Sequence, residues 1–170
     1  MTQIRWRSVA ICGAAAAGLL VAGCASKPEP KGPTPFDKTV VADCYTVDLF
    51  TKTDVVEPTD VPDEWRGFSG RWGGAAWDGK WCHDLHVLSI DETGEVEVME
   101  LHAPYEQWGK TATAFRRKAY ISKDGRLRLR YAGVDIEYWL EDGRLHGLRR
   151  EGSSQLRIAL SRGVNKRFEI

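Results

Sequence analysis

Residues 126–140 read Arg126-Leu127-Arg128-Leu129-Arg130-Tyr131-Ala132-Gly133-Val134-Asp135-Ile136-Glu137-Tyr138-Trp139-Leu140. Apolar and charged residues alternate on both sides of Ala132-Gly133, and a period of two marks a strand with one dry face and one wet face. A two-residue loop at Ala132-Gly133 sets Arg130 opposite Asp135, Arg128 opposite Glu137 and Arg126 opposite Trp139. The same register pairs Leu129 with Ile136 and Leu127 with Tyr138. Each outer pair is favourable by about 0.2–1 kcal/mol, and each inner pair is apolar. Both faces agree on one register, which predicts an antiparallel hairpin with its arginines outward.

Similar segments flank it. Turn signals recur at Asp78-Gly79, Glu92-Thr93-Gly94, residues 104–109, Asp124-Gly125, Ala132-Gly133, Asp142-Gly143 and Gly152-Ser153. Three are Asp-Gly, which suits type I′ hairpin turns because both central residues need positive φ. These turns delimit eight short segments over residues 68–163, none with a sustained 3.6-residue apolar period. Eight strands joined by short connections form a meander, and eight is the number at which a sheet closes around a filled or just-filled interior. Closure also removes exposed edges. The expected fold is all-β: an eight-stranded antiparallel up-and-down barrel, preceded by an extra N-terminal strand. One hairpin is less regular. Simple pairing about Asp142-Gly143 sets Arg149 against inward Ile136, and a bulge near Gly147 is expected to turn that arginine out.

Upstream of the barrel the composition changes. Arg5 and Arg7 precede an apolar run, residues 9–23, which is shorter than the ~20 residues of a membrane-spanning helix and reads as a signal h-region. It ends in Leu20-Val21-Ala22-Gly23-Cys24, which resembles the lipobox of bacterial lipoproteins. That resemblance implies a signal peptide over residues 1–23, acylation of the Cys24 thiol and amine, and a membrane anchor of two or three acyl chains. Ala25 after the cysteine implies sorting to the outer membrane, facing the periplasm. Residues 24–36 carry Pro28, Pro30, Pro33 and Pro35 with Lys27 and Lys31, and read as an extended tether. Residues 37–67 hold the expected extra strand (within 39–50) and an acidic, proline-broken connection. Residues 164–170 form a C-terminal tail.

With 24 Lys+Arg against 24 Asp+Glu in 170 residues, the chain is one domain's worth and is not a sequence-blind nucleic-acid binder. The charges are unevenly spread. Residues 24–108 hold 7 basic and 17 acidic residues, whereas residues 109–170 hold 15 and 7. In a closed barrel the halves abut and neutralise one another. The other reading is a basic outer stripe of Arg126, Arg128 and Arg130 that docks an anionic partner.

Gly70-Arg71-Trp72 opens the first barrel segment and resembles the Gly-x-Trp signature of the calycin superfamily (lipocalins, fatty-acid-binding proteins, avidins). The similarity covers about 95 residues, 68–162. It implies that Trp72 plugs one end of the meander and that an arginine of the last strand, Arg157 or Arg162, lies over it. The long first loop and terminal helix of lipocalins have no counterpart here. Bacterial periplasmic metalloprotease inhibitors are similar in their small barrel, Gly-x-Trp opening and a cysteine in the next strand; their second cysteine follows the first, whereas here Cys44 precedes Cys82. Small lysozyme inhibitors anchored as lipoproteins are similar in architecture.

Cys44 and Cys82 are the two thiols left after processing, and in an oxidising compartment such a pair is expected to bridge. The loop it closes, 38 residues in sequence separation, corresponds to about 4 kcal/mol in the chain-entropy account. His83, Asp84 and His86 suggest a metal, yet on a strand His83 and His86 point to opposite faces. Only Cys82, Asp84 and His86 share a face, and Cys82 is engaged in the bridge, so no metal or other cofactor is expected. His102 and His146 cannot be placed relative to them. No Gly-x-Ser-x-Gly elbow, Ser-x-x-Lys, His-Glu-x-x-His, P-loop or dinucleotide fingerprint occurs. Six tryptophans remain after processing: Trp65, Trp72, Trp77, Trp81, Trp108 and Trp139. Inward tryptophans read as plugs in a small core. The alternative is an aromatic rim at the barrel mouth that grips a ligand, for which Trp77 and Trp81, flanking a turn, and Trp108, in the longest loop, are the candidates because they are the ones expected to be exposed. The expected protein is a monomeric, non-enzymatic binding or inhibitor module, working on an envelope protein or a small ligand through its barrel mouth. The alternative is a structural component that docks peptidoglycan or lipopolysaccharide through its arginine face. Neither involves nucleic acid.

Overall fold

The computed structural model describes residues 35–41, 44–46, 54–163 and 166–167. The expected signal peptide, Cys24 and nearly all of the expected tether lie outside them. The short strand β1 (Tyr45–Thr46) and the one-turn helix α1 (Asp63–Arg66) come first. The two-residue periodicity then becomes eight strands: β2 (Gly70–Trp77), β3 (Trp81–Ile90), β4 (Glu95–His102), β5 (Thr113–Ile121), β6 (Leu127–Tyr131), β7 (Val134–Glu141), β8 (Arg144–Glu151) and β9 (Ser154–Arg162), with a short β10 (Lys166–Arg167) after them. β2 to β9 form a closed antiparallel meander barrel. The β6–β7 register is the one the alternation predicts, with Arg128 opposite Glu137, Arg130 opposite Asp135 and Leu129 opposite Ile136.

The turns follow their chemistry with one exception. Ala132-Gly133 and Asp142-Gly143 have positive φ at both positions, as tight primed turns require. At Asp124-Gly125 only the glycine does, so that connection is not a type I′ turn. It is held instead by Ser122, whose hydroxyl donates to the Arg126 carbonyl at 2.9 Å.

Three further expectations are corrected. The register shifts lie in β2, between Trp72 and Ala75, and in β3, between Val87 and Ser89, and not at Gly147. Regular pairing therefore carries Arg149 inward, opposite Ile136 and Leu156. Gly147 serves packing instead. A Cβ there would lie 2.7 Å from the Tyr138 ring and 2.8 Å from Ile158, so its bare backbone makes room for a buried tyrosine. Trp77 is not on a rim. Trp72 and Trp77 are five residues apart and a regular strand would put them on opposite faces; the extra residue at Gly73-Gly74 brings both inside. Trp77 is fully buried and Trp81 is 6% exposed.

The N-terminal segment is more than a preamble. β2 and β9 pair directly only at Trp72–Arg162 and Gly73–Ser161. Beyond the bulge, Val40 bridges to Ala75 and the Thr39 hydroxyl accepts the Ala159 amide at 2.9 Å. The strap thus occupies backbone groups that the short seam leaves open. The Cys44–Cys82 disulfide, with Cα atoms 5.5 Å apart, ties it to β3. Val55 covers a small outer apolar cluster of Leu88, Met99 and Leu101. Of the expected strand, the described residues Tyr45 and Thr46 form β1, which pairs in parallel with β10 inside the expected C-terminal tail; residues 42–43 and 47–50 lie outside the described residues.

Candidate functional site

The two ends of the barrel are built from different chemistry. At the end where β2 begins, the Trp72 indole donates to the Phe68 carbonyl at 2.8 Å. The Arg162 guanidinium lies 3.9 Å over the Trp72 ring and donates to the carbonyls of Gly67 and Ser69. Leu85, Leu127, Leu145 and Leu160 fill the space beneath. Arg157, the other candidate for this position, points outward opposite Leu148. Its backbone amide donates to Asp78 at 2.7 Å.

The opposite end, the mouth, is lined by polar side chains that alternate inward with the core. In β4 the inward row is Val96, Val98, Glu100 and His102, the last directly across from His83. The Glu100 side chain is fully buried and accepts the Arg117 Nε–H at 2.7 Å. Arg117 stacks 3.5 Å over Tyr131, whose hydroxyl reaches the second Glu100 oxygen at a long 3.4 Å. His83 Nε2 lies 3.2 Å from the Tyr138 hydroxyl. His102 is stacked between Trp81, at 4.3 Å and 20°, and His83, at 4.5 Å. Donor atoms of His83, Glu100 and His102 all fall within 4.8 Å of one another. His102 Nε2 is buried with no hydrogen-bond partner among the described residues.

Burial sets the charges here. Desolvation holds the His83 imidazole down to about 3 and His102 well below the usual histidine range, so both are neutral near pH 7. Desolvation raises the Glu100 carboxyl, with Arg117 acting against it. The Tyr131 and Tyr138 phenols are pushed up by burial and by the Glu100 charge.

Above this layer the mouth opens as a cleft of about 360 Å³, lined by Trp81, Trp108, Lys110, Arg149, Glu151 and Leu156 among others. Trp81 is fixed by donation from its indole N–H to the Ala103 carbonyl at 2.9 Å. Trp108 meets it edge-on at 5.9 Å and is 42% exposed. It is the one rim candidate of the three that faces solvent. Arg149 donates to Glu151 at 2.7 Å with its side chain 7% exposed, and its Nε has no partner among the described residues.

The outer arginines are already engaged. Arg130 pairs with Asp135 at 2.9 Å and Arg128 with Asp124 at 2.7 Å. Arg126, Arg128 and Arg150 converge on Glu137 at 3.8, 3.4 and 2.8 Å, and Arg126 also lies over Trp139 at 4.7 Å. Asp84 and His86 share the outer face with Cys82, as expected, but are buried there.

Sequence reasoning missed Glu100, Arg117, Tyr131, Tyr138, His102 and Arg149 as a group. The signal for Arg149 was present in the pairing about Asp142-Gly143. That for Glu100 and His102 was the period of two running on from Val96 and Val98. No family profile, curated protein or solved structure matches the chain.

Proposed function

We propose that the protein is a lipid-anchored lipoprotein of the bacterial envelope, facing the periplasm from the outer membrane, and that it binds a small ligand in its barrel mouth without chemical turnover. The observation that carries this reading is Arg149. A guanidinium N–H that is buried and unpartnered costs roughly 1–3 kcal/mol, and it sits beside a cleft with aromatic walls. A ligand with an anionic or acceptor group on an aromatic or apolar body satisfies both halves of that site. Its acceptor takes the Arg149 Nε–H, Lys110 adds positive charge at the rim, and Trp81, Trp108 and Leu156 receive the body. The cleft volume falls within the ~300–1,000 Å³ of small-ligand pockets. Docking of cell-wall polymers through Arg126, Arg128 and Arg130 has less support, because those guanidinium groups already have acidic partners.

The anchor rests on the resemblance of residues 20–24 to a lipobox, and a disulfide in the barrel suits an oxidising compartment. Cys24→Ser is expected to abolish labelling by palmitate and leave the precursor uncleaved; normal labelling overturns the anchor. For the mouth, the purified full chain is titrated with anilinonaphthalene sulfonate, an anionic aromatic probe, and tryptophan quenching is followed. Saturable one-to-one binding is expected, weakened about tenfold or more in Arg149→Gln. Affinity unchanged in that variant, or no saturable binding, overturns the reading.

A further inference from the structure

We propose that His83, His102 and Glu100 form a binding site for one divalent transition-metal ion of the zinc and cobalt class. Two imidazoles and a carboxylate are a donor set that such ions favour, and here three donors lie within 4.8 Å of one another on the inner face of adjacent strands. Donors in a tetrahedral zinc site stand about 3.4 Å apart, given metal–ligand distances of about 2.1 Å. Closing the present set therefore takes side-chain shifts of about an ångström, with the backbone held in the ladder.

The independent pointer is His102. It is 4% exposed, and its Nε2 faces no donor or acceptor among the described residues. A bound ion supplies what that nitrogen lacks. The neighbours are those that orient metal ligands elsewhere in proteins. Arg117 fixes one Glu100 oxygen at 2.7 Å while the other has only the long Tyr131 contact. The Tyr138 hydroxyl meets His83, and the Trp81 ring holds His102 flat. Arg117 and Arg149 bring positive charge near the ion, which disfavours a bare cation and favours an anion or hydroxide in the fourth position.

The site does not depend on the small-ligand reading, since its three donor residues are none of those assigned to the ligand; Trp81, which packs on His102, also borders the cleft. The test is a titration of the untagged, EDTA-stripped full chain with Co²⁺ alone, with no organic ligand present. Expected are visible d–d bands of a four- or five-coordinate site, saturation at one ion per chain, displacement by Zn²⁺ and a rise in Tm. His102→Gln and Glu100→Gln are each expected to weaken binding at least a hundredfold. His146→Gln is expected to leave it within about twofold. Should either ligand variant fail to fold by circular dichroism, the wild-type spectrum and stoichiometry still decide. Absence of saturable Co²⁺ binding to the wild type overturns the proposal, and so does binding that survives in a folded His102→Gln or is lost in His146→Gln.

Discussion

At one end of the barrel Arg162 covers Trp72 and gives its guanidinium to two backbone carbonyls. At the other, Arg149 lies within the wall with one N–H facing no acceptor among the described residues, and Glu100 is fully buried. Both ends hold an inward arginine near a tryptophan. The first arginine is satisfied by the chain itself and closes the core. The second is satisfied in part, over a cleft open to solvent. Buried polar groups left incomplete in an otherwise apolar interior lower stability, and they mark the end of the barrel that is equipped for something else.

The largest effects test this division through the tryptophans. Trp72→Ala and Trp77→Ala each remove a side chain at 1% exposure or less and are expected to cost about 3–5 kcal/mol by leaving a cavity. Trp108→Ala, at the lip, is expected to cost under about 1 kcal/mol. Urea unfolding followed by far-UV circular dichroism gives all three values. If Trp108→Ala proves as costly as Trp72→Ala, the lip is part of the core and the contrast between the ends disappears.

The case of Trp77 shows where the sequence stops being legible. Barrel closure, strand number and the β6–β7 register follow from turn residues and a period of two, and these are local signals. One inserted residue at Gly73-Gly74 inverts the facing of the rest of β2, and nothing in the alternation of Gly70–Trp77 marks the insertion, because small residues occupy the positions between the two tryptophans. Arg149 failed for the opposite reason. The regular register was correct, and the dislike of an inward charge argued for a bulge that is not there. The mouth is assembled from β3 to β9 and the loop between β4 and β5, so its partners are distant in sequence, and charge pairs such as Glu100–Arg117 emerge only when the register of several hairpins is added up.

The histidines sharpen the comparison next. The folded-state pKa of His83, near 3, lies below the ordinary value of 6.5, and His102 is displaced in the same direction. Between those limits the unfolded chain takes up a proton that the folded imidazole refuses. The stability these groups contribute is therefore present above about pH 6.5 and is lost as pH falls through the window, with a limiting slope of about 1.4 kcal/mol per pH unit per imidazole. Glu100, raised by burial, acts in the opposite sense. Measured between pH 6.5 and 5.5 with EDTA present, where most carboxylates stay ionised, wild type is expected to lose stability and His83→Gln to lose less. Equal slopes for the two mean that His83 accepts its proton in the folded barrel.

The smallest effect concerns the outer wall of the same hairpin that identified the fold. Arg128 faces Glu137 across β6 and β7, but its shorter contact is to Asp124, at 2.7 Å against 3.4 Å. Glu137 in turn is shared with Arg126 and Arg150. Removing Arg128 leaves Glu137 two cationic partners, so a double-mutant cycle on Arg128→Ala and Glu137→Ala is expected to give a coupling of about 0.5 kcal/mol and no more than about 1 kcal/mol. The coupling between Arg128 and Asp124 is expected to be as large or larger despite the greater exposure of Asp124. Raising salt from low to molar concentration is expected to shrink both, the Asp124 pair more, since Glu137 is the less exposed acid and is screened less. A Glu137 coupling well above 1 kcal/mol that resists salt means that the outer wall, like the mouth, holds a desolvated ion pair, and the contrast between interior and exterior charge fails. No coupling at low salt means that the guanidinium belongs to Asp124 alone.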